Sequence, residues 1–152
     1  MSEEKLIQEI IQRSHSNIWD IAKTEWALHK IYEAEEPKKC LCGHFPIIEV
    51  CILRNTINDQ LAMVGNCCVK RFIGLPSGLI FAAVKRVKKD HTKSLNAAAL
   101  QYAQNRGWID PWEYGFLINT MRKLILSEKQ LKTRIKINKK MLFNMKISNL
   151  QC

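Results

Sequence analysis

Apolar side chains near the start of the chain fall at Leu6, Ile7, Ile10 and Ile11, the spacing of one helical face, which predicts an amphipathic helix over 3–13. A second stripe follows at Ile18, Ile21, Ala22, Trp26, Leu28 and Tyr32. With Ser16 as its cap it predicts a longer helix, ending near "EAEEP" where Pro37 restrains the residue before it. The period then changes. In "IIEVCILR" Ile48, Val50 and Ile52 fall on one side, and Ile47, Glu49, Cys51 and Leu53 on the other, which is a strand pattern. "NTIND" makes a turn and "QLAMV" a returning strand, so 47–64 predicts a β-hairpin.

Helical spacing returns after Gly65. "CCVKRFI" sets Val69 and Phe72 three apart and predicts a helical turn starting near Cys68, broken by "LPSG". A helix over 77–89 follows. Ser94 is placed to cap the next one, which runs through Arg106 and closes at Gly107, where a left-handed backbone is tolerated. Asp110 as cap and Pro111 at the first helical position open another. "SEKQ" (127–130) has the form of a capping box and predicts a final helix over about 128–146. No internal repeat and no Pro/Gly/Ser-rich linker divides the chain, so a single domain, 1–152, is expected.

Composition narrows the class. At 152 residues, 47% hydrophobic and 25% charged, the chain is globular rather than disordered and long enough to bury a core. No apolar run approaches the ~20 residues that span a bilayer, and "MSEEKLIQEII" lacks the basic-then-apolar order of a signal peptide. A soluble, cytoplasmic protein without a membrane partner is the expectation. In such a reducing compartment disulfides rarely persist, so clustered cysteines point to metal or to chemistry.

The cysteines are clustered. "KKCLCGHFPIIEVC" (38–51) holds three and a histidine, and "GNCCVKRF" (65–72) adds two. A zinc site needs three or four thiolate or imidazole ligands converging at ~2.0–2.3 Å. Cys40, Cys42 and Gly43 offer a tight turn that presents two sulfurs to one point. A hairpin follows, then a cysteine at a helix start, where free N–H groups and the helix dipole favour thiolate. Turn, hairpin and helix start is the order of parts in a treble-clef finger. Six side chains compete for four places: Cys40, Cys42, His44, Cys51, Cys67 and Cys68. The strand alternation sets Cys51 off the apolar face, and only one of the adjacent Cys67 and Cys68 is expected to coordinate. The expected set is Cys40, Cys42, Cys51 and Cys68 around a structural Zn2+, with His44 the first reserve and Cys152 uninvolved. Buried thiols without metal, or a reactive thiol with His44 as base, are the competing readings.

The same residues resemble a signature of small, mostly uncharacterised bacterial and phage zinc-binding proteins, C-x-C-G, then a hairpin, then G-[S/N]-x-C-[I/V]-x-x-F. It falls on Cys40, Cys42 and Gly43, then Gly65, Asn66, Cys68, Val69 and Phe72, with a weaker echo in "LSEKQ". The resemblance covers 40–72 and aligns Cys68, not Cys67, with the signature cysteine. It implies a zinc-binding module of phage or mobile-element type and supplies no activity. The fold expected is therefore mainly α with a small β-hairpin: acidic N-terminal helices (1–36), a treble-clef-like zinc-binding hairpin module (37–75) and a basic helical portion (76–152).

Charge suggests a partner. Residues 1–36 carry four Lys/Arg against eight Asp/Glu, and 37–152 carry twenty against six, within an overall +10. Such an excess favours polyanions but sets no sequence preference. Lys38 and Lys39 precede the first cysteine turn, Lys70 and Arg71 follow Cys68, and Lys85, Arg86, Lys88 and Lys89 end one helix. In the last helix Leu131, Ile135, Leu142 and Met145 form the expected apolar stripe, with Lys132, Lys136, Lys139 and Lys140 largely off it. These basic residues are the candidate nucleic-acid contacts, weighed against a plain solvated face. Four tryptophans at helical spacing read as core rather than as base-stacking platforms. No phosphate-binding glycine loop occurs, and no serine nucleophile motif or second acidic group accompanies Asp90-His91. The expectation is a non-enzymatic, zinc-binding, nucleic-acid-associated protein. The alternative is an interaction factor that docks on a host protein or nucleoprotein complex through the acidic helices.

Overall fold

Helices make up 53% of the protein, beside one small three-stranded antiparallel sheet. The computed structural model describes residues 2–150, with side chains as far as Met145. Cys152 and the side chains after Met145 lie outside the described residues.

Helix α1 (Glu3–Arg13) forms where the periodicity predicts it. The Ser2 hydroxyl accepts from Lys5 N at 3.2 Å, and Leu6 and Ile10 are fully buried. The long second helix does not form. Only α2 (Trp19–Ala22) and a 3-10 turn (Lys23–Glu25) are helical before the chain enters strand β1 (Trp26–Lys38).

The cause lies in β2 (Ile47–Asn55). Val50, Cys51, Ile52 and Leu53 are all buried in succession, so the strand is covered on both faces and is not the one-sided element its alternation suggests. Each edge of such a strand must be hydrogen-bonded. Strand β3 (Leu61–Gly65) takes one edge as the predicted hairpin partner. β1 takes the other, running from Trp26 opposite Asn55 through Tyr32 opposite Val50, with irregular register after Leu28 and Glu33. A two-stranded hairpin alone is marginal, and the third strand's pairing outweighs the helical propensity of Ala, Leu, Lys and Glu in 26–38. Tyr32, Ala34, Val50 and Ile52 pack together, with Ile47 and Met63 against them. In the register, Ile31, Cys51 and Val64 form a cross-strand row, all fully buried.

A buried carboxylate joins the ends of these elements. Glu25 accepts from the backbone N–H of His15 (2.7 Å) and Ser16 (2.9 Å) and from Asn55 Nδ2 (2.9 Å). Its backbone carbonyl accepts from Thr56 N (2.7 Å), and Asn55 Oδ1 accepts from the backbone of Ile57 and Asn58 in the β2–β3 turn. The α1–α2 loop, the start of β1 and the hairpin turn thus meet at one ionised side chain. After β3, the short helix α3 (Asn66–Cys68) widens into a π-type turn over Val69–Ile73. It closes at Gly74 (φ 82°), whose N–H reaches Val69 O at 2.8 Å.

Where the sequence reads as one domain, the contacts separate two compact units, Met1–Gly78 and Leu79–Gln151. The division falls inside helix α4 (Ser77–Lys89), so no linker composition marks it. In the second unit α5 (Ala97–Asn105) is capped by Asn96, which accepts from Ala99 N at 2.9 Å, rather than by Ser94. Helix α6 (Pro111–Thr120) has the expected Asp110 cap, completed into a box by Glu113. Helix α7 (Glu128–Leu150) opens with the predicted reciprocal Ser127–Gln130 bonds, both 3.1 Å. Its inner face differs from the expected stripe. Arg134, Ile137, Asn138, Met141 and Met145 are buried, while Leu131, Ile135 and Leu142 are only half-buried. Arg134 donates to Thr120 O (2.7 Å) and Thr92 O (3.2 Å), and Asn138 Nδ2 to His91 O (2.8 Å) and Lys93 O (2.7 Å). Two polar side chains thereby fasten the α4–α5 loop and the end of α6 to α7. No helix among the described residues is long and apolar enough to cross a membrane.

Ile10→Ala, which empties a fully buried site, should cost about 2–5 kcal/mol in denaturant unfolding. Asn55 and the two backbone donors hold the Glu25 carboxyl below its ordinary value, against the opposing effect of burial. A depressed folded value means the stabilisation is present above the unfolded carboxyl pKa and is lost as pH falls through the lower folded one. Glu25→Gln should therefore lower the Tm at neutral pH and flatten the fall in stability below the ordinary carboxylate range. Thermal melts of both proteins across acidic pH check this.

Candidate metal centre

The connector from β1 to β2 carries two of the thiols. Cys40 N donates to His44 O (3.0 Å) and Gly43 N to Cys40 O (2.9 Å), closing a turn that needs φ 92° at Gly43. Glycine is favoured there by conformation, and a β-carbon would meet only the mobile end of Lys5, whose Nζ at 3.3 Å lies across the turn. Leu41 N donates to Met63 O (3.3 Å), which pins the turn to β3. Cys68 arrives from the other direction, in α3 directly after β3.

The Sγ atoms of Cys40, Cys42 and Cys68 lie within 4.8 Å of one another, all three buried. Cys40 Sγ and Cys68 Sγ are 3.8 Å apart. A tetrahedron with metal–sulfur bonds of ~2.3 Å has an edge of about 3.8 Å. The sulfurs also receive backbone donors: Cys42 N (3.5 Å) and Gly65 N (3.3 Å) point to Cys40 Sγ, and His44 N (3.4 Å) to Cys42 Sγ. Such donors favour thiolate over thiol. Sharing a proton with Cys68, helped by the Gly65 and Cys42 N–H groups, holds the Cys40 thiol down to about 5 against the effect of burial. The same pairing, together with burial, pushes Cys68 up. The chemistry and spacing of the three donors fit a thiophilic metal ion, whose charge would replace the shared proton.

The structure brings together three of the four expected ligands and leaves the fourth apart. Cys51 is fully buried but outside the trio, in the Ile31–Cys51–Val64 row. Burial pushes its thiol up to about 12, with a Ser77 hydrogen bond acting in the opposite direction. The side of the strand on which the alternation sets Cys51 is buried as well. Of the neighbouring pair, Cys68 joins the trio and Cys67 is exposed. A cavity of about 250 Å3 opens beside the sulfurs, lined also by His44, Glu49 and Cys67. All five described cysteines are free thiols. Lys5 and the Gly65 N–H escaped sequence reasoning, because their approach depends on α1 and β3 packing from distant parts of the chain.

All twelve candidate nucleic-acid contacts are exposed: Lys38, Lys39, Lys70, Arg71, Lys85, Arg86, Lys88, Lys89, Lys132, Lys136, Lys139 and Lys140. Among them, Lys140 pairs with Glu113 at 2.7 Å and Lys132 with Glu128 at 3.5 Å. The Arg71 guanidinium sits 5.1 Å from the Phe72 ring centroid. Charge divides between the units less sharply than it does along the sequence at residue 36, but in the same direction. The first holds nine Lys/Arg against ten Asp/Glu, and the second fifteen against four. No family model, no curated protein and no solved structure matches the chain.

Cys40→Ser, Cys42→Ser and Cys68→Ser should each abolish stoichiometric metal in protein purified under reducing conditions, whereas Cys51→Ala should keep about one equivalent. Elemental analysis of the four variants separates the trio from the buried bystander.

Proposed function

We propose that the protein is a non-enzymatic zinc-binding protein that associates with nucleic acid through phosphate contacts, the zinc acting structurally. The observation that carries the metal part is the buried trio of Cys40, Cys42 and Cys68, with two sulfurs at a tetrahedral edge length. Zinc suits an all-thiolate set better than oxygen-seeking cations do. His44, on the wall of the same cavity, is the side chain we assign to the fourth position. With four protein ligands no site is left for a reacting water, which favours organisation over catalysis. The ion would tie the β1–β2 connector to the start of α3, giving the turn, hairpin and helix start of a treble-clef-like module.

The nucleic-acid part is supported by the fifteen-to-four excess of basic residues in the second unit. Phosphate contact releases counterions, so binding must weaken steeply with salt. Purified protein should carry zinc near one equivalent, and should bind labelled DNA or RNA with an affinity that falls at least tenfold between about 50 and 200 mM salt. Zinc content near zero would remove the metal half of this reading. Binding that ignores salt, or none at low salt, would remove the other half.

A further inference from the structure

The second unit contains a cavity of about 690 Å3, the size of a small-ligand site. It is walled by the end of α4, the loop after it, the segment 121–126 between α6 and α7, and the first turns of α7. Five cationic side chains line it, Arg86, Lys93, Arg122, Lys123 and Arg134, and no carboxylate is among the described residues that line it, the nearby Asp90 being bonded to Thr92. Cations gathered on one concave surface repel each other and focus a positive potential into it.

Arg134 sharpens the case. It is more than nine-tenths buried, and its guanidinium reaches only the carbonyls of Thr92 and Thr120. Its Nε has no hydrogen-bond partner among the described residues. Burial, and the charge of Arg86 nearby, both work against its charged form. A buried guanidinium held by neutral carbonyls alone lacks its counter-charge, and an anion in the cavity supplies one.

A second cavity shares the Lys123 wall and identifies the kind of anion. It is lined by Trp112 and Phe116, whose rings stack at 5.5 Å with an 11° interplanar angle. Trp112 is 65% exposed, which makes it an accessible platform rather than the core residue its spacing suggests. Stacking platforms beside cationic grooves suit unpaired bases, whose faces are free, and do not suit a closed duplex.

We propose that the second unit binds single-stranded nucleic acid, with backbone phosphates in the Arg86–Arg122–Arg134 cavity and a base stacked on Trp112. This rests on the nucleic-acid half of the proposed function and gives it a location. Leu124 and Ile125, almost wholly exposed on the cavity rim, would also suit insertion into an anionic membrane. The concave walls and the aromatic pair favour the single strand.

The test is fluorescence anisotropy of the full chain with a labelled oligothymidylate, with a duplex of equal length, and with phosphatidylserine vesicles. The single strand should bind more tightly than the duplex. Trp112→Ala should weaken single-strand binding about tenfold and leave duplex binding unchanged. Arg122→Ala with Lys123→Ala, at exposed positions that leave the fold intact by circular dichroism, should lower the salt slope by about 1.4, the value for two single-strand phosphates. Wild-type affinity in both variants overturns the site. If Lys70→Ala with Arg71→Ala then loses binding, nucleic-acid association stands and moves to the first unit. Vesicle binding that depends on Leu124 and Ile125, with no oligonucleotide binding, overturns this site and the nucleic-acid reading together.

Discussion

A strand buried on both faces sets the terms for the first unit. β2 places Val50 and Ile52 on one side and Cys51 and Leu53 on the other, none of them open to water. It can neither expose a face nor leave an edge unpaired, so it recruits β1 from a segment whose composition favours helix. That recruitment positions the cysteine trio. The chain leaves β1 at Lys38, two residues before Cys40, and β3 ends one residue before the helix that carries Cys68. Because β1 and β3 flank the same strand, their exits lie close enough for the two sulfurs to meet at 3.8 Å. The Glu25 carboxylate then holds the opposite ends of these strands together.

What could be read from the sequence was what short-range chemistry determines. The Ser127–Gln130 box, the Asp110 cap, the hairpin and the Cys40–Cys42–Gly43 turn depend on residues close in sequence, so local pattern locates them. The errors share a different cause. Trp26–Lys38 became a strand because of pairing with a later segment, and Cys51, fully buried in the sheet, lies outside the group of close sulfurs. On α7 the misreading was of register. Arg134 and Asn138 are polar, yet they share the spacing of Ile137, Met141 and Met145, and the hydrophobic-stripe rule has no means of placing a buried polar pair. Their justification is four carbonyl oxygens contributed by two other segments.

Electrostatics separates two kinds of basic residue that look alike in the sequence. Three thiolates around a divalent ion leave a net charge of −1 when the fourth ligand is a neutral imidazole. Within the first unit, which is otherwise close to neutral, Lys5 lies across the cysteine turn, and Lys39 and Lys70 stand within two residues of a trio cysteine. Under the zinc reading these cations have a local task, balancing an anionic centre in a partly desolvated setting. The second unit offers no such task. Its fifteen basic residues face four acidic ones, and two of those acids are already engaged by Lys132 and Lys140. Under the nucleic-acid reading, an external polyanion would supply counter-charge for that surplus.

That distinction bears on how the two halves of the protein can be related in function. A structural ion adds stability where it binds, because its binding energy is folding energy for the segment it closes. It need not contact the ligand to matter. The hydrogen bonds that shape the basic cavity, from Arg134 to Thr92 and Thr120, are made within the second unit. Nucleic-acid affinity should then follow the integrity of that unit, and metal should govern the persistence of the sheet and its cysteine turn. Zinc and nucleic acid are in this view separate requirements met by separate cores. Under the zinc reading, the "KKCLCGHFPIIEVC" segment would account for how the first unit is closed rather than for what the protein holds.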